Sequence, residues 1–164
     1  LALLAGRLSP AHLLRKLYAL FQPPLSFALG LKGAIMPLTE EAALRAYAKM
    51  MNTLNAECLE PLLADDFTYE SQHVFQPLES KQAFLDYIRP KLTTIQQANA
   101  TVFAEIGTIS AYGRNQSCVI LAQNDRANLV GLVLAKVDGE RLKRIDLCIV
   151  PPPQTAKRSG EYPT

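Results

Sequence analysis

The stretch ADDFTYESQHVFQPLESKQAFLDYIRPKL, residues 64–92, decides the fold. It begins with an aromatic strand, Phe67–Ser71, and continues through a polar turn and a Pro-Leu-Glu-Ser break. An amphipathic helix then covers Ser80–Gln97, and Pro90 inside it should bend it. Almost all of the sequence after this helix has strand character, so we expect the helix to pack on a sheet that the downstream chain builds.

Upstream of this stretch the sequence predicts two helices. Thr39 can cap the first helix. Its apolar residues recur at three- and four-residue steps and mark a buried face: Leu44, Tyr47, Ala48, Met51 and Leu54. Asn55 can cap a second helix over Ala56–Ala64, which Pro61 should keep short because proline has no backbone donor.

Downstream, the sequence predicts four strands joined by turns. Their ranges are Val102–Ala111, Ser117–Gln123, Leu129–Val137 and Arg141–Val150. Asp138-Gly139 between the last two is a strong hairpin signal. The three prolines at 151–153 cannot extend a sheet, so residues 151–164 are expected to form a flexible polar tail.

Residues 1–35 differ from the rest of the chain in charge. They carry four basic residues and no acid, a charge of +4, which leaves −2 for the remainder of a chain of net charge +2. A helix with one leucine-rich face can start at Ser9-Pro10 and must end at Pro23-Pro24. A membrane-surface or targeting helix is one interpretation; we favour an N-terminal extension outside a working domain that covers residues 36–150.

Composition excludes several classes of protein. No apolar run reaches the roughly 20 residues of a transmembrane helix, and an acidic body does not suit nucleic acid. The three cysteines lie far apart in apolar contexts, as buried reduced thiols do. There is no metal-ligand spacing, Gly-rich phosphate loop or nucleophile elbow, so we expect no metal and no cofactor. The expected location is the cytoplasm.

The order of these elements resembles the nuclear transport factor 2-like superfamily, which includes ketosteroid isomerases, limonene epoxide hydrolases and polyketide cyclases. The resemblance covers about Leu38–Val150. It rests on Leu59–Phe67, on the long helix after Leu78-Glu79-Ser80-Lys81 and on the ending Asp138-Gly139-Glu140 … Ile145-Asp146. It implies an α+β fold, the cystatin-like cone, in which a curved antiparallel sheet wraps around two to three N-terminal helices and the mouth of the cone often holds a ligand.

The resemblance also implies a set of site residues. The residues expected to contact an apolar small molecule are Tyr47, Tyr69, Ser71, Phe84 and Phe103. Asp146 is the candidate general acid or base, and His73 is a second titratable candidate. Ketosteroid isomerases have a general-base aspartate at the position of Ser71, and a serine hydroxyl is not a base near neutral pH.

Each of these residues also has a structural interpretation. Asp146 can lie outward and pair with Arg144 or Lys143. His73 can be a solvated turn residue, and Tyr47 and Tyr69 can be core residues with their hydroxyls at the rim.

Two functions stay open at this point. The first is a small-molecule enzyme or binder of the isomerase, hydrolase or cyclase type. The second is a non-catalytic interaction module, partner-binding or immunity-type, in which side chains fill the cavity: Phe67, Tyr69, Phe84, Phe103 and Leu121. The middle of the sheet is apolar on both faces and one helix layer covers only one, so we expect a homodimer through the sheet face.

Overall fold

A computed structural model describes residues 37–72 and 76–164. The predicted extension over residues 1–35 and the candidate His73 lie outside the described residues. The first described helix, α1, spans Glu40–Thr53. The Thr39 hydroxyl accepts a hydrogen bond from the Ala42 amide at 3.1 Å, so the predicted cap is confirmed.

The short helix expected after α1 is replaced by two 3-10 turns, Ala56–Cys58 and Glu60–Leu62. Pro61 lies in the second turn, where its missing amide cannot continue a helical ladder. Strand β1 therefore begins earlier than predicted and spans Leu63–Ser71.

The remaining elements follow the predicted order. Helix α2 spans Lys81–Gln97, and the Ser80 hydroxyl caps it by accepting from the Ala83 amide at 3.1 Å. Five strands follow: β2 Val102–Ala111, β3 Arg114–Gln123, β4 Leu129–Asp138, β5 Arg141–Cys148 and β6 Lys157–Arg158. Neither helix of the described ranges is long and apolar enough to cross a membrane.

The six strands form one sheet in the order β1-β5-β4-β3-β2-β6. Strands β2 to β5 are antiparallel neighbours, and β6 pairs antiparallel with the free side of β2. Strand β1 runs parallel to β5, so the sheet is mixed and not antiparallel throughout. The predicted α+β class is confirmed.

The main core lies between the two helices and one face of the sheet, which we call the inner face. Its largest fully buried side chains include four aromatic or long apolar residues from α1, β1 and α2: Tyr47, Met50, Phe67 and Phe84. The opposite, outer face carries a smaller buried cluster, formed by Ile109, Cys118, Ile120 and Leu132. Ala156 packs against this outer cluster.

Residues 151–164, which we call the C-terminal strap, cross this outer cluster. The sequence predicted a flexible polar tail here, whereas the strap has hydrogen-bonding partners along its length. Strand β6 pairs with Gly107 and Thr108, and the Ile106 amide donates to the Glu161 carbonyl at 2.9 Å. The Asn52 side-chain amide donates to the Pro163 carbonyl at 2.8 Å and so joins the strap to α1.

Candidate functional site

The sheet divides in its middle, between β3 and β4. The two strands pair from Val119↔Val133 to Ala122↔Leu129. In the described residues no pair joins the first half of β3, residues 114–118, to the second half of β4, residues 134–138. Over these halves β3 keeps only β2 as a neighbour, and β4 keeps only β5. The paired spacing of about 4.8 Å is therefore not maintained, and the sheet forks.

A cavity of about 900 Å³, the fork cleft, lies at this division. Residues of both separated strand halves line it, together with residues of β1, β5 and the start of α1. The polar lining residues are Glu40, Glu70, Ser71, Gln72, Arg114, Gln116, Lys136, Arg144 and Asp146. The cleft is thus far more polar than the apolar cone pocket that the sequence predicted.

Arg144 is the centre of an ion cluster on one wall of the cleft. Its Nε donates to both Asp146 carboxylate oxygens at 2.8 and 3.0 Å, and a terminal nitrogen lies 2.8 Å from a Glu70 oxygen. The hydrogen bond to Asp146 raises the pKa of the Arg144 guanidinium above its ordinary value. The cluster is a fixed arrangement of one cation and two anions.

Asp146 lies on the outer face, because its neighbours Ile145 and Leu147 belong to the inner core. Its side chain is 19% exposed and binds Arg144. The expectation of a carboxylate inside an apolar cone is therefore corrected, and the sequence-based alternative of an outward ion pair with Arg144 describes its position.

Lys136 lies beside this cluster without an acidic partner. It is exposed, and its direct neighbour in β5 is Arg144. Among the described residues no carboxylate lies within 4.0 Å of its ammonium group, since both nearby acids bind Arg144. On the facing strand, Arg114 lies 3.6 Å from Glu40, and its Nε donates to the Gln116 side-chain oxygen at 3.1 Å. The cleft lining as a whole carries three cations, Arg114, Lys136 and Arg144, and three carboxylates, Glu40, Glu70 and Asp146, so its charges balance.

The predicted inner-face residues are brought together, but as core. Tyr47, Tyr69 and Phe84 are at most 2% exposed, and none of them lines either cavity described in this section. Burial, with a smaller effect of Tyr69, raises the pKa of the Tyr47 phenol well above its ordinary value. Side-chain hydrogen bonds link Tyr69 to Ser71 and Tyr87. Ser71 is the one of these predicted residues that also lines the cleft.

Phe103 lies apart from the other predicted residues and helps to hold the strap. Its ring contacts the Tyr162 ring edge-on, with centroids 6.3 Å apart. The Arg126 guanidinium lies 5.2 Å from the Phe103 centroid and 4.3 Å from the Tyr162 centroid. These contacts are cation–π interactions that fix the end of the strap.

An exposed aromatic ring borders the cleft at the tip of the β2–β3 hairpin. Tyr112 is 72% exposed, and its hydroxyl lies 3.5 Å from the Val150 carbonyl. Val150 and Ile149 are also exposed. The Gln72 side-chain oxygen accepts from the Ile149 amide at 2.6 Å and fixes this part of the chain.

A second, smaller cavity of about 410 Å³ lies beside the start of β1. Its wall contains one ion pair, in which Lys143 Nζ lies 2.5 Å from an Asp66 oxygen. In the described ranges no three His, Cys, Asp or Glu side chains are placed to hold a metal ion.

Sequence reasoning missed Lys136, Arg114 and Gln116 as cleft residues. One signal could have found them. The first half of β3 is polar, Arg-Asn-Gln-Ser over 114–117, whereas its second half is the apolar run that starts at Cys118. A polar half-strand does not suit the middle of a sheet that is covered on both faces, and the change of character coincides with the fork.

The comparisons with known proteins concern the fold. No protein-family model matches this chain, and no curated protein matches its sequence. An NTF2-like protein of unknown function from Cytophaga hutchinsonii is 11% identical at a TM-score of 0.48, covering 71% of this chain and 96% of that one. The chain is similar to nuclear transport factor 2-like proteins.

Two further solved structures show how general this likeness is. A candidate polyketide cyclase from Sinorhizobium meliloti is 11% identical at a TM-score of 0.46, covering 65% of this chain and 93% of that one. A de novo designed protein with a curved β-sheet is 15% identical at a TM-score of 0.49, covering 71% and 95%. A likeness of this degree, shared with a designed protein, does not assign an activity to the chain.

Proposed function

We propose that this chain is a non-catalytic binding module that engages its partner at the fork cleft. The observation that carries the proposal is the aromatic filling of the inner core. The Phe84 ring contacts Phe67 at 5.0 Å and Tyr69 at 5.2 Å between centroids, and Tyr69 lies 5.7 Å from Tyr87. Rings in mutual contact occupy the space that a small apolar ligand would need.

The arrangement of acids also supports a binding role over catalysis. Proton transfer needs a carboxylate or imidazole within reach of a bound substrate. Three carboxylates line the cleft: Asp146 and Glu70 both bind Arg144, and Glu40 lies 3.6 Å from Arg114. An ion cluster of this kind presents fixed charges for recognition, as the charged groups of interfaces do.

The homodimer through the sheet face stays a prediction. The structure gives a weaker physical reason to expect it than the sequence alone did. The outer cluster is buried within a single chain, and Ala156 of the strap packs against it. The apolar area that suggested a second copy is therefore partly covered by the chain itself. Light scattering at micromolar concentration measures the mass directly.

A ligand test distinguishes a filled core from a cone pocket. Benzene and indole should not raise the melting temperature of the wild-type protein, because aromatic rings in mutual contact fill the inner core of the described residues. Phe84→Ala should lower the free energy of unfolding by about 3–5 kcal/mol and create an apolar cavity that benzene can enter. Benzene should then stabilise this variant.

Phe103→Ala is the matched control, because it removes the same ring outside the inner core. This variant should gain no stabilisation from benzene. If Phe84→Ala does not fold, Phe84→Leu opens a smaller space for the same measurement. Stabilisation of the wild-type protein by an apolar small molecule would overturn the filled core and favour the small-molecule function.

A further inference from the structure

We propose that two copies of this chain exchange their C-terminal straps, so that the outer face of each sheet binds the last residues of the other copy. This inference goes beyond the fork cleft and does not rest on the proposed function. Two observations carry it: the end of the strap is recognised as a self-contained peptide, and the segment that joins the strap to β5 exposes apolar side chains.

The recognition of the strap by the sheet centres on Glu105. Glu105 is the one charged residue that is buried among the described residues, at 2% exposure. Its carboxylate accepts hydrogen bonds from Arg158 Nε, the Gly160 amide and the Tyr162 hydroxyl, each at 2.7 Å. These donors satisfy a buried charge that would be costly without them, and all of them come from one short stretch of the strap. The site therefore recognises a short segment.

Helix α1 recognises the remaining strap residues. A terminal nitrogen of Arg45 donates to a Glu161 oxygen at 3.0 Å, and the Asn52 side-chain amide donates to the Pro163 carbonyl at 2.8 Å. The two ion pairs have opposite polarity, since the sheet supplies the anion for Arg158 whereas α1 supplies the cation for Glu161. This alternation of charge fixes which strap residue occupies which position.

The contacts of the strap's end do not depend on how the strap is joined to the sheet. Outside the strap itself, the hydrogen-bond and ring partners of residues 158–164 in the described chain all lie within residues 45–126. The joining segment, residues 149–152, supplies none of them. The strap of a second copy would therefore make the same contacts, which is the condition for exchange between protomers.

The joining segment, which we call the hinge, exposes apolar side chains. Ile149 is 43% exposed and Val150 is 64% exposed, and Tyr112, whose hydroxyl lies 3.5 Å from the Val150 carbonyl, is 72% exposed. These are three of the four large apolar side chains that are exposed among the described residues. In an exchanged dimer the two hinges run side by side, so these side chains shield one another from water.

The hinge decides between the closed chain and the exchanged dimer. A strap that is tethered to its own sheet has an effective concentration of about millimolar order. Because the strap contacts are the same in both forms, exchange without a further gain would need millimolar chain. Contact between the two hinges lowers this requirement, so we expect exchanged dimers to form below millimolar concentration.

The test uses two full-length variants in which the strap no longer suits its own helix. Arg45→Glu and Glu161→Arg each bring like charges together within one chain. In a mixture of the two variants, exchange restores opposite charges at both sites of a mixed dimer. Native mass spectrometry, with one variant isotopically labelled, should show mixed dimers in roughly tenfold excess over the dimers that either variant forms with itself.

The matched control carries both changes in one chain. Arg45→Glu combined with Glu161→Arg restores the pair within each copy, so this protein should dimerise like the wild type. Its labelled and unlabelled copies should mix at the statistical share.

A second pair of variants tests the hinge. Ile149→Ser combined with Val150→Ser should raise the concentration at which half of the chain is dimeric by roughly tenfold. Ile95→Ser changes a half-buried side chain on α2, away from the hinge, and should leave that concentration unaltered.

Each outcome supports or overturns the inference. An excess of mixed dimers that is absent from the control with both changes supports strap exchange. A chain that stays monomeric from micromolar to millimolar concentration overturns it. Mixed dimers at only the statistical share also overturn it and assign the dimer to another face, and so does an unchanged dimerisation of the hinge variant. The proposed function fails separately, through stabilisation of the wild-type protein by benzene or indole.

Discussion

At the scale of single residues, the face of a strand decides what a carboxylate can do. Asp146 and Tyr69 belong to neighbouring strands, yet one lies in an outer ion cluster and the other in the inner core. Period-two alternation settles this difference once the apolar neighbours are assigned to the core. The same alternation places Glu70 on the face of Asp146, where both reach one guanidinium.

The first prediction concerns Asp146. Asp146→Asn should lower the free energy of unfolding by about 1 kcal/mol, because it removes one ion pair while Glu70 still holds Arg144. Asp66→Asn is the matched control. Its side chain is 74% exposed, so loss of its pair with Lys143 should cost less. Urea unfolding at neutral pH measures both, and a more stable Asp146→Asn protein would contradict the outward ion pair.

The second prediction concerns Glu105, which is buried at 2% exposure and binds the strap. Burial alone would raise the pKa of the carboxyl. Hydrogen bonds from Arg158, Tyr162 and the Gly160 amide, each at 2.7 Å, outweigh this effect. They hold the pKa of Glu105 below its ordinary value. The resulting stabilisation is complete above the ordinary pKa of about 4.3 and is lost as the pH falls through the lower, folded-state value.

Glu105→Gln should therefore be less stable than the wild-type protein by about 2 kcal/mol at pH 7, and the gap should shrink in acid. Urea unfolding of both proteins between pH 3 and pH 7 measures the gap. If the difference in the free energy of unfolding stays constant over this pH range, the charge of Glu105 does not contribute to stability.

At the scale of elements, local signals located most helices and strands. The cap at Thr39 and the Asp138-Gly139 turn lie where the sequence predicted them, and α2 begins within one residue of its predicted start at Ser80. The start of β1 was missed because Asp65 and Asp66 are polar, although they occupy exposed strand positions. The fork and the strap were missed for a different reason: both depend on pairing between distant segments, which no local pattern contains.

The third prediction tests the approach of the strap to the sheet. A Cβ atom at Gly107 would lie 2.7 Å from Ile120 Cδ1 and 2.9 Å from the Lys157 carbonyl oxygen. Gly107→Ala should therefore displace β6 and lower the free energy of unfolding by about 1–3 kcal/mol. The Ile106 amide, which donates to the Glu161 carbonyl, should exchange faster.

The matched control for this change is Ser110→Ala, which alters an exposed side chain of the same strand. Hydrogen exchange followed by NMR compares the Ile106 amide in the two variants. Equal exchange rates in both would mean that the strap does not need the close approach at Gly107.

At the scale of the whole molecule, both ends of the described chain meet on α1. The helix supplies the inner core with Leu44, Tyr47 and Met51. Its polar side holds the strap: Arg45 pairs with Glu161, and Lys49 Nζ donates to the Thr164 carbonyl at 3.1 Å. The candidate site, in contrast, could be predicted only in part. Ser71 and Asp146 line the cleft, whereas Tyr47, Tyr69 and Phe84 belong to the inner core and Phe103 contacts the strap.

The fourth prediction is that residues 1–35 are dispensable for folding. Helix α1 begins with its own cap at Thr39, and the charge of the sequence changes sign before it. A chain that starts at Met36 should unfold cooperatively and melt within about 2 °C of the full chain. Differential scanning calorimetry compares the two, and loss of a cooperative transition would show that the extension belongs to the domain.

The strap has a consequence for synthesis. The outer cluster forms from residues up to Leu132, but Ala156 and β6 are translated later than every strand that they cover. Until residues 153–164 have left the ribosome, the nascent sheet exposes apolar side chains at Ile109, Ile120 and Leu132. A chaperone that binds exposed apolar strands would therefore meet this chain late, and a ribosome-bound chain whose residues 153–164 are still inside the exit tunnel should be held in a chaperone-bound form.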